Sequence, residues 1–172
     1  MKIRTDFVTN SSSSSFLLGF KDRADGLDQI TALAFTISPA AGLTLLEDFA
    51  NQKPLNMEEM LDSIKYDLEG NADMELCYGR MYYSFPPKEK SHRDLWMEKH
   101  PDKDFLAYYD STEYAMALDE KTKEQQEKIK QKAKDMGYFV ILEYEDHTTV
   151  GAELEHDVLP HAPFTIQSFS HH

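Results

Sequence analysis

The chain has a single cysteine, Cys77. No internal disulfide can form, so a small secreted fold stapled by disulfides is excluded. No apolar run approaches the ~20 residues that a membrane-spanning helix needs. Positive charge is scarce: 18 Lys and Arg face 31 Asp and Glu, for a formal net charge of −13. Such a surface repels phosphate backbones, so nucleic acid is not an expected partner. The densest basic stretch, residues 121–134, is interrupted by Glu124 and Glu127. Short chemical signatures are missing as well. There is no Gly-rich phosphate cradle followed by Lys, no set of Rossmann glycines, no nucleophile-elbow serine and no EF-hand spacing.

What is present suits a folded chain. Hydrophobic residues make up 41% of 172 positions and aromatics 12%, which is enough for one domain with a core. Residues 2–8 alternate, with Ile3, Thr5 and Phe7 on one face, and predict a strand. The opening lacks the apolar core of a secretory signal. With the lone cysteine, this favours the cytoplasm. A serine run, residues 11–15, separates this segment from the apolar Phe16-Leu17-Leu18-Gly19-Phe20. It reads as a low-complexity linker or loop, with the centre of a hairpin as the alternative. The stretch from Met1 to Phe16, MKIRTDFVTNSSSSSF, resembles the opening of many uncharacterised proteins of low-GC Gram-positive bacteria and their phages, which share the FVTNSSSSSF start. The resemblance implies a bacterial or phage setting and brings no activity, ligand or catalytic residue with it.

Helical spacing follows. Residues 25–37 carry Leu27, Ile30, Ala34 and Ile37, with Asp25 as cap. Ser38-Pro39 ends that helix and opens another, with Ser38 as N-cap, Pro39 at the first position, and Leu43, Leu46, Phe49 and Ala50 as its stripe. Residues 56–69 predict the clearest helix: Met57, Met60, Leu61, Ile64 and Leu68 share a face. Asn56 and Glu59 form a capping-box-like start and Gly70 a stop. Residues 75–85 alternate as a strand that holds Cys77, a buried and inert thiol on this reading. Ser91 with Asp94 predicts a short capped helix to His100, anchored by Trp96. Residues 110–136 predict a largely solvated helix, with a break near Asp119 and an i,i+4 pair between Glu124 and Lys128.

The C-terminal stretch concentrates the polar chemistry. Residues 138–144, YFVILEY, form the most strand-like run. After a turn at 145–148, residues 149–154 read as its hairpin partner. Pro160 and Pro163 bracket a loop, and residues 164–169 form a last strand. The expected fold is therefore α+β: a single domain, 1–172, with a mainly antiparallel sheet covered by helices on one face.

Five of the seven histidines fall between 138 and 172, among acidic residues. Imidazole and carboxylate are the usual ligands of zinc and related divalent metals, and a catalytic site needs about three of them. His156, His161, His171, Glu155 and Asp157 are the candidate metal ligands, with His147 and Glu153 as further partners. No closed motif such as HExxH is present. Three functions remain open. The favoured one is a small acidic bacterial or phage protein that acts by binding a host or self protein. The alternative is a metal-dependent, hydrolase-like enzyme that uses the C-terminal cluster, with zinc or another divalent metal as cofactor. A structural or assembly component is the third.

Overall fold

The computed structural model describes residues 13–78 and 90–171. They form an α+β structure with a three-stranded antiparallel sheet. The strand expected over residues 2–8 lies outside the described residues. The chain divides into two compact units. A sheet unit comprises Met1–Met60 with Lys132–His172, and a helical unit comprises Leu61–Gln131.

In the sheet unit the strand order is β2-β1-β3, with β1 Ser13–Phe20 in the centre, β2 Tyr138–Glu145 and β3 Thr165–His171. The central position explains the continuous apolar run of β1, because a central strand covered on both faces loses its polar alternation. Phe16, Leu18 and Phe20 project to one face, where they pack with Val140 and Leu142 of β2. Helices α1 Arg23–Ala34 and α2 Pro39–Asn51 cover this face through Ile30, Ala41, Leu45 and Phe49. Phe20 meets Phe49 edge-on, with ring centroids 5.5 Å apart. Each such side chain contributes roughly 1.5–3 kcal/mol when fully buried. The two helices approach closely because Gly42 carries no Cβ; one would press on the Ala34 carbonyl oxygen.

The serine run differs from the linker expected for it. Ser13–Ser15 belong to β1, paired to both neighbours: Ser14 lies opposite Tyr144 and Ser170. The strand tolerates buried hydroxyls because distant glutamates accept from them. Ser14 Oγ donates to Glu155 Oε1 at 2.8 Å and Ser15 Oγ to Glu143 Oε1 at 3.3 Å, one on each face of the sheet.

The C-terminal hairpin is also corrected. Residues 149–154 do not return along β2, whose strand neighbour is β1. They form α8 Thr149–Ala152 and run into a π-helical turn, Glu153–Val158. Thr148 caps the start, its hydroxyl accepting from Gly151 N at 2.9 Å. Half-buried Val150 and buried Leu154 and Val158, spaced four apart, supply the helical stripe. A 3-10 turn, Leu159–His161, leads to β3.

Boundaries shift elsewhere too. Asp22, not Asp25, caps α1, and Leu27 is exposed while Gly26 is buried. In α2, Ser38 and Pro39 hold the positions expected of them, but Ala41, Gly42 and Leu45 face inward and Leu43 outward. The helix expected over 56–69 is two: α3 Met57–Ser63 and α4 Lys65–Tyr78. Asn56 and Glu59 cap α3 reciprocally. Gly70 does not stop α4, since buried Leu68, Ala72 and Leu76 carry the stripe past it. Residues 75–78 are thus helix rather than strand, and the rest of that expected strand, 79–85, lies outside the described residues.

The helical unit continues with α5 His92–Lys99, whose capping box of Ser91 and Asp94 is formed, and α6 Phe105–Tyr109. Then comes α7 Thr112–Ala133, which runs unbroken through Asp119.

Candidate functional site

An open depression of about 1120 Å³ lies on the sheet unit. Three segments form it: the α1–α2 junction with Thr36 and Ser38, the turn after β2 with Asp146 and His147, and the π-helical turn with Glu153, His156 and Asp157. A π turn carries more residues per turn than an α-helix and re-aims the side chains along it. Here Leu154, Glu155 and Val158 turn inward, while His156 and Asp157 stay exposed.

Glu153 fixes the rim. Its carboxylate accepts from Ser38 N at 2.9 Å and from Ser38 Oγ at 2.5 Å. The Ser38 hydroxyl bond, followed by the backbone bond, holds the Glu153 carboxyl below its usual range. The same Ser38 oxygen accepts from Ala41 N at 3.3 Å and so caps α2. One serine therefore ties the start of α2 to a residue 115 positions away. His147 Nδ1 stands 2.7 Å from Glu145 Oε2, with both side chains more than half exposed.

The five residues expected as metal ligands are distributed as follows. His156 and Asp157 line the depression, alongside His147. Glu155 turns into the interior, where it accepts from Ser14; His156 Nε2 lies 4.0 Å from its Oε2. His161 is exposed in the 3-10 turn and is not among the lining residues. His171 ends β3 opposite Ser13. Among the described residues, no three His, Cys, Asp or Glu side chains are placed to hold one ion. Sequence reasoning missed Ser38 and Thr36, which enter the depression from the far side of the chain. The only local signal there was the Ser-Pro cap.

The helical unit holds a second polar cluster. The buried Cys77 thiol lies 3.2 Å from both Asp73 Oδ1 and the Tyr109 hydroxyl. Tyr114 donates to the same Asp73 oxygen at 2.9 Å, and the Tyr108 hydroxyl meets His92 Nδ1 at 3.1 Å. Burial is the largest influence on Cys77 and pushes its thiol up, away from the thiolate that would attack an electrophile. The burial expected of Cys77 is observed, in a helix rather than in the expected strand.

Chemically, the depression is open to water and offers carboxylates, hydroxyls and imidazoles. It suits a cationic group more than a reaction that requires a dry site. Compared with family models, with curated proteins and with solved structures, the chain matches none of them.

Proposed function

We propose that the protein works by binding a basic protein partner, host or self, through its acidic surface, with the depression beside Ser38 as the seat. The bacterial or phage setting implied by the opening residues and a cytoplasmic location belong to the same reading. The observation that carries it is the lining: Asp146, Glu153 and Asp157 surround an open depression on a chain of net charge −13. Clustered like charge raises the local concentration of a cationic partner and steers its approach. Glu153 is held in place by Ser38, so one of these carboxylates is preorganised for contact. Among the described residues no helix is long and apolar enough to cross a membrane.

The test is binding of an end-blocked oligolysine peptide, followed by fluorescence anisotropy at low and high salt. Affinity is expected to fall with salt and to fall again in the Asp157→Lys variant. Salt-independent binding that Asp157→Lys leaves unchanged overturns the proposal. Elemental analysis of the purified protein addresses the hydrolase alternative: stoichiometric zinc, manganese or iron would favour it over a binding role.

A further inference from the structure

We propose that the outer edge of β2 accepts an extended segment of a partner protein, bearing lysine or arginine, as an added strand. Among the described residues, β2 lies at the margin of the sheet. In an antiparallel strand the backbone groups of alternate residues face opposite sides. Phe139 faces outward: its N–H donates to the Leu55 carbonyl at 3.2 Å, and its carbonyl accepts from Leu55 N–H at 2.8 Å. The other side of the sheet agrees. Gly19 N–H donates toward Phe164 on the β3 side, so Leu18, and by alternation Phe16, face β2. Their partners Val140 and Leu142 face back, in an unbroken register. Ile141 and Glu143 must then present N–H and C=O outward, in the same sense as Phe139.

The chain itself closes both ends of this window. Leu55 occupies Phe139. Past Glu143, Gly151 sits so close to the Glu145 carbonyl that a Cβ there would collide with it. Between these closures runs a groove of about 410 Å³, lined by Asp48, Gln52, Ile141, Leu142 and Glu143. Leu55 already makes on Phe139 the pair of bonds that an incoming strand would make on Ile141 and Glu143. Edge pairing of this kind draws affinity from main-chain bonds and specificity from alternate side chains.

The charge of the groove selects the occupant. Glu143 is exposed, and Asp48 stands on the α2 side, where it accepts from the Tyr144 hydroxyl at 2.9 Å. A second copy of the chain would set Glu143 beside another acidic edge, and like charges across an edge repel. A basic strand sends one row of side chains toward Asp48 and the other toward Glu143. None of these lining residues belongs to the depression beside Ser38, so failure here leaves that reading intact.

The experiment uses the full chain and a synthetic, end-blocked peptide of roughly six alternating lysines and valines. Its control is the same peptide with every backbone amide methylated, which keeps the charge and removes the donors. Amide exchange at Ile141 and Glu143 should slow when the first peptide is added. Methylation of the peptide, or Ile141→Pro in the protein, should weaken binding roughly tenfold or more. Circular dichroism checks the fold of Ile141→Pro, and Glu143→Lys serves as a second variant that should also weaken binding. Equal binding of the methylated peptide, unchanged exchange at both amides, or no binding overturns the proposal. So does sedimentation of the protein alone as a dimer that Ile141→Pro dissociates, since that would assign the edge to a second copy.

Discussion

The interior of the sheet unit is mostly hydrocarbon, with the buried Ser14–Glu155 pair as a polar exception: Phe16, Leu18, Ile30, Leu45, Val140 and Leu142 are each nearly or fully inaccessible to water. The centre of the helical unit is different in kind. Around buried Trp96 and Tyr108 it gathers a thiol, a carboxylate and the hydroxyls of Tyr109 and Tyr114. Tyr108, Tyr109 and Tyr114 meet edge-on, with centroids 5.0–5.4 Å apart. A hydrocarbon core is limited by shape and tolerates any pH. A polar aromatic core is limited by pairing, because each buried donor or acceptor left alone costs about 1–3 kcal/mol. The Trp96 indole N–H is such a group, buried and without an acceptor among the described residues. The contrast also concerns chain distance. The sheet unit joins residues more than a hundred positions apart through β1, whereas the polar cluster is assembled from residues 73–114.

The sharpest way to break this comparison is to empty part of the hydrocarbon core. Phe16→Ala removes a ring from the central strand at a site only 1% exposed. It should cost about 4 kcal/mol, read from the urea midpoint by circular dichroism. A loss below about 1 kcal/mol would mean that the site collapses around the gap, and that packing does not limit the unit.

Alkali should separate the two interiors next. The hydrogen bond with Cys77, then burial, raises the Tyr109 hydroxyl from an ordinary value of 10 to about 12. Burial first, then the bond to Asp73, pushes Tyr114 up too, and burial does the same to Tyr108. The folded values lie above the unfolded ones. The stabilisation is therefore complete below pH 10 and is lost as pH climbs toward and past 12. Trp96, the only tryptophan, reports on this cluster. Its fluorescence should hold steady through about pH 10, while exposed tyrosines such as Tyr66 ionise, and change only with the later rise in tyrosinate absorbance. Tyrosinate absorbance that reaches the full amplitude of all nine tyrosines near pH 10, with no change in Trp96 emission, would show that these hydroxyls are not held by the fold. In the sheet unit, Tyr144 is raised likewise by burial and by Asp48, so the contrast is one of number, three such groups against one among the described residues.

Local rules explain which parts of the structure could be read in advance. Ser38 with Pro39, Asn56 with Glu59, and Ser91 with Asp94 act over a few residues, and all three caps form where the sequence puts them. β2 was legible because aliphatic and aromatic residues crowd together there. The serine strand was not legible, because its hydroxyls are satisfied by Glu155 and Glu143, far along the chain. Residues 149–154 misled because a short apolar alternation fits a strand as well as one turn of helix, and the Thr148 cap starts a helix there. Of the candidate site, the clustering of His147, His156 and Asp157 was visible in composition. The inward turn of Glu155 and the tie from Glu153 to Ser38 depend on tertiary structure that no window of sequence contains.

The smallest expected effect lies on the surface of α7, where neither interior reaches. Lys123 Nζ stands 2.6 Å from Asp119 Oδ2, one helical turn away, with both side chains more than 60% exposed. Water screens such a pair, and ordering two long side chains offsets part of the attraction. Asp119→Asn should therefore move stability by no more than about 0.5 kcal/mol, and less as salt is added. A loss approaching that of Phe16→Ala in the same urea titration would show that Asp119 does more than decorate a solvated face. The division between a shape-limited sheet interior and a pairing-limited helical one would then have to include this surface as well.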